Sequence, residues 1–377
     1  MPPASNIPKI RVPAEQHAWL QAATAELLDA CAVTAHDGTL IYRPDTGGHY
    51  DAMWTRDFCY MVEGAGKLIP PPRVAACVDY LLARQRDDGA IPDRVRADGH
   101  AVYLAGPEEA PLGAGYPTDN PQFLVKLVAA YTRRVRDPHF VAARSDALRR
   151  GLESVPTAPD GAVSIDPTAP HSGYGFTDTV AKTGKELSST LLLWEAWYAL
   201  ASMLRVAELH EEAREAFERA HHTEQAIEQF WNDELGVLEA ATRDCRQPDL
   251  WGSAYAVMLG LQGSGRRHAT AAFFRDLYAD CVLHGHVRHL PAGEYWQRML
   301  TDLPHDAYQN GGYWAVPTGW VARVLQSVDA DLAARMMGEL IAYFQAHGIC
   351  EWISPAEGIL QGYVASAALT LGAVKPA

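Results

Sequence analysis

The sequence has few features of a secreted, metal-binding or membrane protein. Its six cysteines form no CxxC pair and lie mostly in apolar stretches, which predicts reduced, buried thiols instead of disulfides or a zinc site. The first ten residues contain three prolines and no apolar segment typical of a signal peptide, and no later stretch is long and apolar enough to span a bilayer. We therefore expect a cytoplasmic protein with no membrane partner.

Positive charge is also scarce. The chain has 32 Lys and Arg residues against 46 Asp and Glu residues, a formal net charge of −14, and no dense run of basic residues. Nucleic acids and anionic membranes attract basic surfaces, so neither is an expected partner. No HxxxH or His-Glu pattern suggests a bound metal, and no metal or organic cofactor is expected.

Regular alternation of strands and helices is missing too, which argues against a parallel-sheet enzyme. The apolar pattern instead predicts helices almost throughout. The candidate helices cover 14–32, 57–69, 72–86, 121–134, 139–152, 185–206, 208–231, 250–261, 265–282, 317–326, 329–346 and 360–373. Segment 187–204 is apolar nearly all round, whereas segment 208–231 carries charges along one face, so buried inner helices and exposed outer helices alternate along the chain.

This alternation predicts an all-α fold made of six helical hairpins. The predicted inner helices begin near 57, 120, 185, 250, 317 and 361. Five of them precede an outer helix, and the last can pair with helix 14–32 and close a ring. We expect one (α/α)6 barrel domain over residues 1–377, with residues 1–12 as an N-terminal extension, in a monomer or a homodimer.

The connections between these helices differ strongly in length. Turns from inner to outer helices are tight, whereas connections from outer to inner helices are long: 33–56, 87–120, 153–184, 232–249, 283–316 and 347–360. All six long loops should therefore emerge on one face, at the N-terminal ends of the inner helices. Long ordered loops in a compact domain are usually functional.

Acids, amides and aromatic residues are concentrated in these long loops. Carboxylates and amides hydrogen-bond sugar hydroxyls, and aromatic faces pack against pyranose rings. Glycoside hydrolysis needs one protonated acid and one ionised carboxylate on either side of the scissile bond. The composition of the loops therefore predicts a sugar-binding pocket with candidate catalytic acids.

Three segments resemble elements of the six-hairpin glycosidases, such as glucoamylases, trehalases and processing α-glucosidases. Segment 54–57, Trp-Thr-Arg-Asp, resembles their Trp-x-Arg-Asp element, in which Arg and Asp grip the non-reducing-end sugar. Segment 351–355, Glu-Trp-Ile-Ser-Pro, is similar to a Glu-aromatic-x-x-Pro loop whose Glu is the general base. Segment 173–178 resembles the loop that carries the general acid, but relatives have this acid directly after Gly-aromatic, where this chain has Gly175.

The resemblance implies an exo-acting, inverting glycoside hydrolase, with an α-glucoside as the first expected substrate. Asp178 is the implied general acid, with Glu186 and Asp57 as alternatives, and Glu351 is the implied general base. The expected substrate-binding residues are Trp54, Arg56, Asp57, Asp119, Lys182, Gln309, Asn310, Trp314 and Trp352.

Several of these acids also have structural interpretations. Asp119 and Asp249 are as suited to capping helices as to binding sugar, and Glu186 is better suited to capping. Glu195, within an inner helix, is expected to be a buried, paired acid.

Three other functions stay open on the same barrel. A sugar epimerase or isomerase would rely on histidines as proton carriers, and the loops are richer in acids. An unsaturated uronyl hydrolase would need a basic pocket, for which Arg56, Lys182 and Arg298 are candidates. A non-catalytic glycan-binding protein would bind sugars without turnover.

Overall fold

The computed structural model describes residues 7–355 and 358–377. Helices dominate this part of the chain, and three of its turns, Gly66–Leu68, Gly175–Thr177 and Ile227–Phe230, are 3-10 helices. The α-helices are α1 (Ala14–Cys31), α2 (Thr55–Ala65), α3 (Pro71–Leu82), α4 (Asn120–Val135), α5 (Pro138–Ala142), α6 (Ser145–Glu153), α7 (Leu187–Val206), α8 (His210–Ala226), α9 (Leu250–Met258), α10 (Ser264–Asp276), α11 (Tyr278–Cys281), α12 (Thr318–Leu325), α13 (Ala330–His347) and α14 (Val364–Ala373).

Six of these helices form the apolar centre of the fold. α2 contacts α4, α4 contacts α7, α7 contacts α9, α9 contacts α12, α12 contacts α14, and α14 returns to α2. These are the helices that the sequence predicts as inner, and α7 is buried along most of its length while the charged α8 packs outside it. The contact between α2 and α14 is very close, because a Cβ on Gly64 would lie 2.1 Å from the carbonyl oxygen of Ala368.

Hydrogen bonds join the N-terminal ends of neighbouring inner helices. Arg56 at the start of α2 donates to Asn120 at the start of α4. Ser188 at the start of α7 donates to Asp249, the residue before α9. Tyr363, which precedes α14, donates to Asp57 in α2. The long loops that lead into these helices therefore meet at one end of the ring.

Short strands connect the loops at this end. They pair as Ala32–Thr34 with Leu40–Tyr42, Ala52–Trp54 with Arg94–Arg96 and then Ala101–Val102, Ser164–Ile165 with Gly184–Lys185, and Trp231–Asn232 with Val237–Leu238. A further pair, Ile10–Val12 with Val374–Pro376, lies at the other end, because Val374 follows the C-terminal end of α14. A five-stranded antiparallel sheet contains, in order, Val282–Leu283, His286–Val287, Tyr313–Trp314, Cys350–Ile353 and Gly358–Gln361. This sheet joins the loop before α12 to the loop before α14, and it pairs Trp314 with Trp352.

The structure confirms most helix positions and corrects some boundaries. The helix expected over 139–152 is interrupted and forms α5 and α6, and the one expected over 265–282 forms α10 and α11. Within the expected N-terminal extension, 1–12, Ile10–Val12 pairs in parallel with Val374–Pro376. Residues 1–6 of that extension lie outside the described residues.

All six cysteines are free and buried, as expected from the sequence. Within residues 7–355 and 358–377, no helix combines the length and the apolar character that crossing a bilayer requires.

Candidate active site

The side chain of Arg56 is held in a cage of acids at the start of α2. Its exposed fraction is 4%. Its Nη2 donates to Asp93 Oδ1 at 2.5 Å and to Asn120 Oδ1 at 3.2 Å, and its Nε lies 3.5 Å from Asp119 Oδ2. A buried guanidinium needs such partners because desolvation of an unpaired charge is costly. Asp93 was not singled out from the sequence, although it lies in the second long loop.

Gly175 packs directly against the guanidinium of Arg56. A Cβ on Gly175 would lie 1.8 Å from Arg56 Nε, and the backbone N–H of Gly175 donates to Asp119 Oδ2 at 2.7 Å. Arg56 therefore fills the space that a side chain at position 175 would need. This explains why the acid expected directly after Gly-aromatic is absent here. The next acid, Asp178, follows the 3-10 turn Gly175–Thr177.

Asp178 is held by an amide from another loop. Gln309 Nε2 donates to Asp178 Oδ1 at 2.8 Å, and Gln309 Oε1 accepts from the backbone N–H and the hydroxyl of Thr179. Burial raises the pKa of Asp178 to about 6, although Arg56 and Gln309 act in the opposite direction. A carboxyl with this pKa keeps its proton in part of the population near neutral pH, which suits a general acid.

Glu351 is buried, with 2% of its surface exposed. The hydroxyl of Tyr50 donates to its Oε1 at 2.6 Å. Its Oε2 is also buried and has no hydrogen-bond partner among the described residues. Burial raises the pKa of Glu351 well above its ordinary value, and the charges of Asp57 and Asp178 raise it further. A buried acceptor that the protein leaves unused is costly and marks a place where a ligand can bind.

Asp57 lies close enough to Glu351 for its charge to raise the pKa of Glu351. Tyr363 donates its hydroxyl to Asp57 Oδ1, and burial raises the pKa of Asp57 to about 6. The charges of Asp57 and Asp178 both act on Glu351, and the charges of all three acids act on Tyr308. Asp57 at the start of α2, Asp178 in the third long loop and Glu351 in the sixth therefore converge, although they are distant in the chain.

Four aromatic side chains from the first, fifth and sixth long loops keep some exposed surface: Tyr50, Trp54, Tyr308 and Trp352. The rings of Tyr50 and Trp54 are 4.8 Å apart, and those of Tyr308 and Trp352 are 6.1 Å apart. Tyr308 has a φ of 44°, an unfavourable left-handed conformation that is enriched at functional sites. These rings can provide stacking surfaces for a sugar.

Three tyrosines of this site were not singled out from the sequence: Tyr50, Tyr308 and Tyr363. Tyr50 and Tyr308 lie in long loops, and Tyr363 lies directly before α14. The position directly before an inner helix is the one signal in the sequence that could have pointed to Tyr363. The hydroxyls of Tyr50 and Tyr363 donate to carboxylates that are distant in the chain, and Tyr308 is hydrogen-bonded to Tyr50. No sequence pattern indicates these contacts.

Five expected substrate-binding residues have almost no exposed surface and have other partners. Asp119 contacts Arg56, and Gln309 contacts Asp178. Lys182 pairs with Glu186. The amide of Asn310 bonds to the backbone of Trp296 and Leu303, and the indole N–H of Trp314 donates to the backbone of Tyr308 at 3.2 Å. In this structure these five side chains are therefore packed against other parts of the protein.

The acids with structural interpretations have structural partners. Asp249 accepts from Gly252 N at 2.7 Å and caps α9. Glu186 accepts from Ser189 N at 2.6 Å and caps α7. Glu195 pairs with Lys126 at 2.7 Å. Asp119 is different, because no side-chain hydrogen bond from it caps α4.

We expect Asp57→Asn to stabilise the fold at neutral pH. Because the pKa of Asp57 rises from 3.8 to about 6 on folding, the unfolded chain ionises first, and the free energy of unfolding falls as pH rises through this interval. Above pH ~6 the free energy of unfolding is lower by about 3 kcal/mol in the wild type, and the amide variant does not have this loss. Urea denaturation at about pH 4 and about pH 7.5 measures this effect. Equal stability differences at both pH values would contradict it.

Solved structures with this arrangement of helices include sugar-processing enzymes. The chain is similar to a GH63 mannosylglycerate hydrolase from Thermus thermophilus in complex with glucose, with a TM-score of 0.69 and 17% identity over 94% of this chain and 99% of that one. It is also similar to a rhamnosidase from Klebsiella oxytoca with rhamnose bound, with a TM-score of 0.67 and 14% identity over 97% of this chain and 64% of that one. The chain has the fold of these glycoside hydrolases.

At this level of identity the similarity establishes the fold, so the expected resemblance to six-hairpin glycosidases is confirmed for the fold. No protein-family profile matches the sequence, and no curated protein matches it.

Proposed function

We propose that this protein is a glycoside hydrolase whose six inner helices line an (α/α)6 barrel in one domain. The observation that carries the proposal is the convergence of Asp57, Asp178 and Glu351, all with raised pKa values, among four partly exposed aromatic rings. The fold shared with a mannosylglycerate hydrolase and a rhamnosidase supports it.

In the proposed reaction, Asp178 and Glu351 act as the general acid and the general base. Asp178 gives its proton to the glycosidic oxygen as the bond to the anomeric carbon breaks. A water molecule adds to that carbon from the opposite side and loses a proton to Glu351 Oε2. The product is inverted if the two carboxyls are about 6.5–9.5 Å apart, which leaves room for the water. In the active form of the enzyme, Asp178 is protonated and Glu351 is ionised.

Arg56 and Asp57 would bind the non-reducing-end sugar, with Trp54 and Trp352 as ring platforms. The charges around the site favour a neutral sugar. Arg56 is the cation nearest the acids, and its charge is balanced by Asp93 and Asp119. An exo-acting enzyme for an α-glucoside is therefore the specific proposal, in keeping with the sequence resemblance.

An unsaturated uronyl hydrolase is less well supported. It needs a free basic group for the uronate, but Lys182 pairs with Glu186 and Arg298 pairs with Asp244 at 2.6 Å. An epimerase that uses histidine is also less well supported. Among the described residues, no histidine hydrogen-bonds to Asp57, Asp178 or Glu351, and His289 is buried against Trp251 with ring centroids 3.9 Å apart.

The proposal is tested by incubating the purified protein with aryl α- and β-glycosides and neutral disaccharides, with product anomers followed by NMR. We expect hydrolysis of an α-linked substrate and initial release of the β-anomer. Interconversion of free sugars without hydrolysis would support an isomerase instead. Binding without any turnover would support a glycan-binding protein.

We expect Tyr50→Phe to shift the pH dependence of this hydrolysis. The hydroxyl of Tyr50 lowers the pKa of Glu351 against the larger effect of burial, so its removal raises that pKa. Because Glu351 must be ionised to act as a base, the acid limb of kcat/KM moves to higher pH, and activity on that limb falls about tenfold. Tyr103→Phe, whose hydroxyl donates to the backbone of Arg84, is the matched control. An unchanged acid limb in Tyr50→Phe would remove Tyr50 from the mechanism.

A further inference from the structure

A cavity lies between the loop 87–120 and the loop 153–184, on the end of the molecule where the long loops meet. Its volume is about 250 Å³. Tyr116, His171 and Asp88 line it together with Ile91, Thr118 and Ser154. None of the candidate catalytic or substrate-binding residues lines it, so it is separate from the acids Asp178 and Glu351. We call it the Tyr116 cavity.

The chemistry of this cavity suits one sugar ring. Tyr116 is 37% exposed, one of the few large apolar side chains with so much exposed surface among the described residues. Its ring is a platform for the apolar face of a pyranose, and the Asp88 carboxylate and the His171 imidazole can bond to hydroxyls. The volume is below the ~300–1,000 Å³ of pockets for drug-sized ligands, which matches a single small unit.

The charge of this cavity selects a neutral ligand. The exposed carboxylate of Asp88 is already paired with Arg86, at 3.3 Å. Burial lowers the pKa of His171, which keeps its ring neutral near pH 7. A neutral polyol satisfies these groups without bringing in a charge that the cavity does not balance.

The walls of the cavity are held in place before any ligand binds. Thr118 N donates to Ser172 O at 3.2 Å, and the Thr118 hydroxyl donates to Gly173 O at 2.9 Å. Gly115 lies against the His171 ring so closely that a Cβ there would be 2.8 Å from it. Little ordering is therefore needed on binding, which favours affinity.

The chain segments that line the cavity at Ile91 and Thr118 also carry the acids that hold Arg56. Asp119 follows Thr118 in the chain, and Asp93 lies two residues after Ile91. A sugar in the Tyr116 cavity would thus bind beside the two chain segments that carry the acids around Arg56.

We propose that the Tyr116 cavity is an accessory subsite that binds one sugar unit of a neutral oligosaccharide, away from the bond that is cleaved. The inference rests on the proposed glycoside hydrolase function and extends it to longer substrates.

Kinetics with malto-, α-manno- and cello-oligosaccharides, each from the disaccharide to the heptasaccharide, test this subsite. We expect kcat/KM of the wild type to rise with length in the series that it cleaves. Tyr116→Ala should lower the ratio of kcat/KM for long to short substrates about 3- to 10-fold, the loss of one ring contact. Tyr116→Phe keeps the ring and should keep most of the ratio, and Val206→Ala, an exposed apolar residue at the end of α7, should leave it unchanged.

A binding measurement makes the test independent of catalysis. Calorimetry of the same oligosaccharides with Glu351→Gln should show affinity that rises with length, and adding Tyr116→Ala should remove this rise. If hydrolysis is found but neither the ratio nor the affinity depends on Tyr116, the accessory subsite is refuted and the proposed function is not. If no glycoside is hydrolysed, the proposed function fails, and the binding result alone decides whether the cavity binds sugars.

Discussion

Glu351→Gln is expected to lower kcat/KM for glycoside hydrolysis by about 10³-fold, which is within the usual contribution of a general base. The amide keeps the oxygen that accepts from Tyr50, so the fold and sugar binding should be retained while the ability to take a proton from water is lost. Steady-state kinetics and binding of the product sugar measure the two effects separately. Asp51→Asn, an exposed acid in the first long loop, is the matched control and should retain full activity.

Substrates with different leaving groups distinguish the role of the general base from that of the general acid. Asp178→Asn should lower hydrolysis of natural glycosides by a similar factor, but it should largely spare a dinitrophenyl glycoside, whose leaving group needs no protonation. Glu351→Gln should impair both substrates equally. Full activity of either variant on natural glycosides would remove that residue from the proposed mechanism.

Gly175→Ala is expected to destabilise the protein by about 3 kcal/mol and to lower kcat/KM at least ~100-fold. The added methyl group would lie 1.8 Å from Arg56 Nε, and the guanidinium would have to move away from the buried acids Asp93 and Asp119. Asp93 would keep its ion pair with Arg94, but Asp119 would lose its contact with Arg56. Thermal unfolding and kinetics with the same glycoside measure both losses.

Gly338→Ala provides the matched control, because a Cβ at that position in α13 meets no atom within 4 Å. In a helix this change should be neutral or slightly stabilising. If Gly175→Ala unfolded at the wild-type temperature and had wild-type activity, the packing of Arg56 against this glycine would contribute to neither stability nor catalysis.

The alternation of inner and outer helices could be predicted because buried helices are apolar on all sides, whereas exposed helices carry charged residues on one face. α7 is apolar on every face and α8 is charged along one, and the structure places them accordingly. The five-stranded sheet could not be predicted in this way. Its strands are only two to four residues long and come from three distant segments, so no periodic pattern identifies them.

The candidate site was predictable in part. The resemblance of segments 54–57, 173–178 and 351–355 to glycosidase loops singled out Asp57, Asp178 and Glu351, and the long loops meet at one end of the ring of helices. An aromatic residue in a loop gives no sign of its exposure. Trp314 is fully buried, whereas Trp352, its partner in the sheet, keeps exposed surface. The network of tyrosine hydroxyls depends on side-chain directions that composition does not encode.

The hydrogen bonds of Tyr50 with Glu351 and of Tyr363 with Asp57 join residues 301 and 306 positions apart in the sequence. During synthesis on the ribosome, the first of each pair emerges long before its partner exists. The helices near the N-terminus can fold early, but the acid group is incomplete until the last segment of the chain has been released. A ribosome that stalls before Glu351 is translated should therefore yield a product with much of the helical ring and no hydrolytic activity.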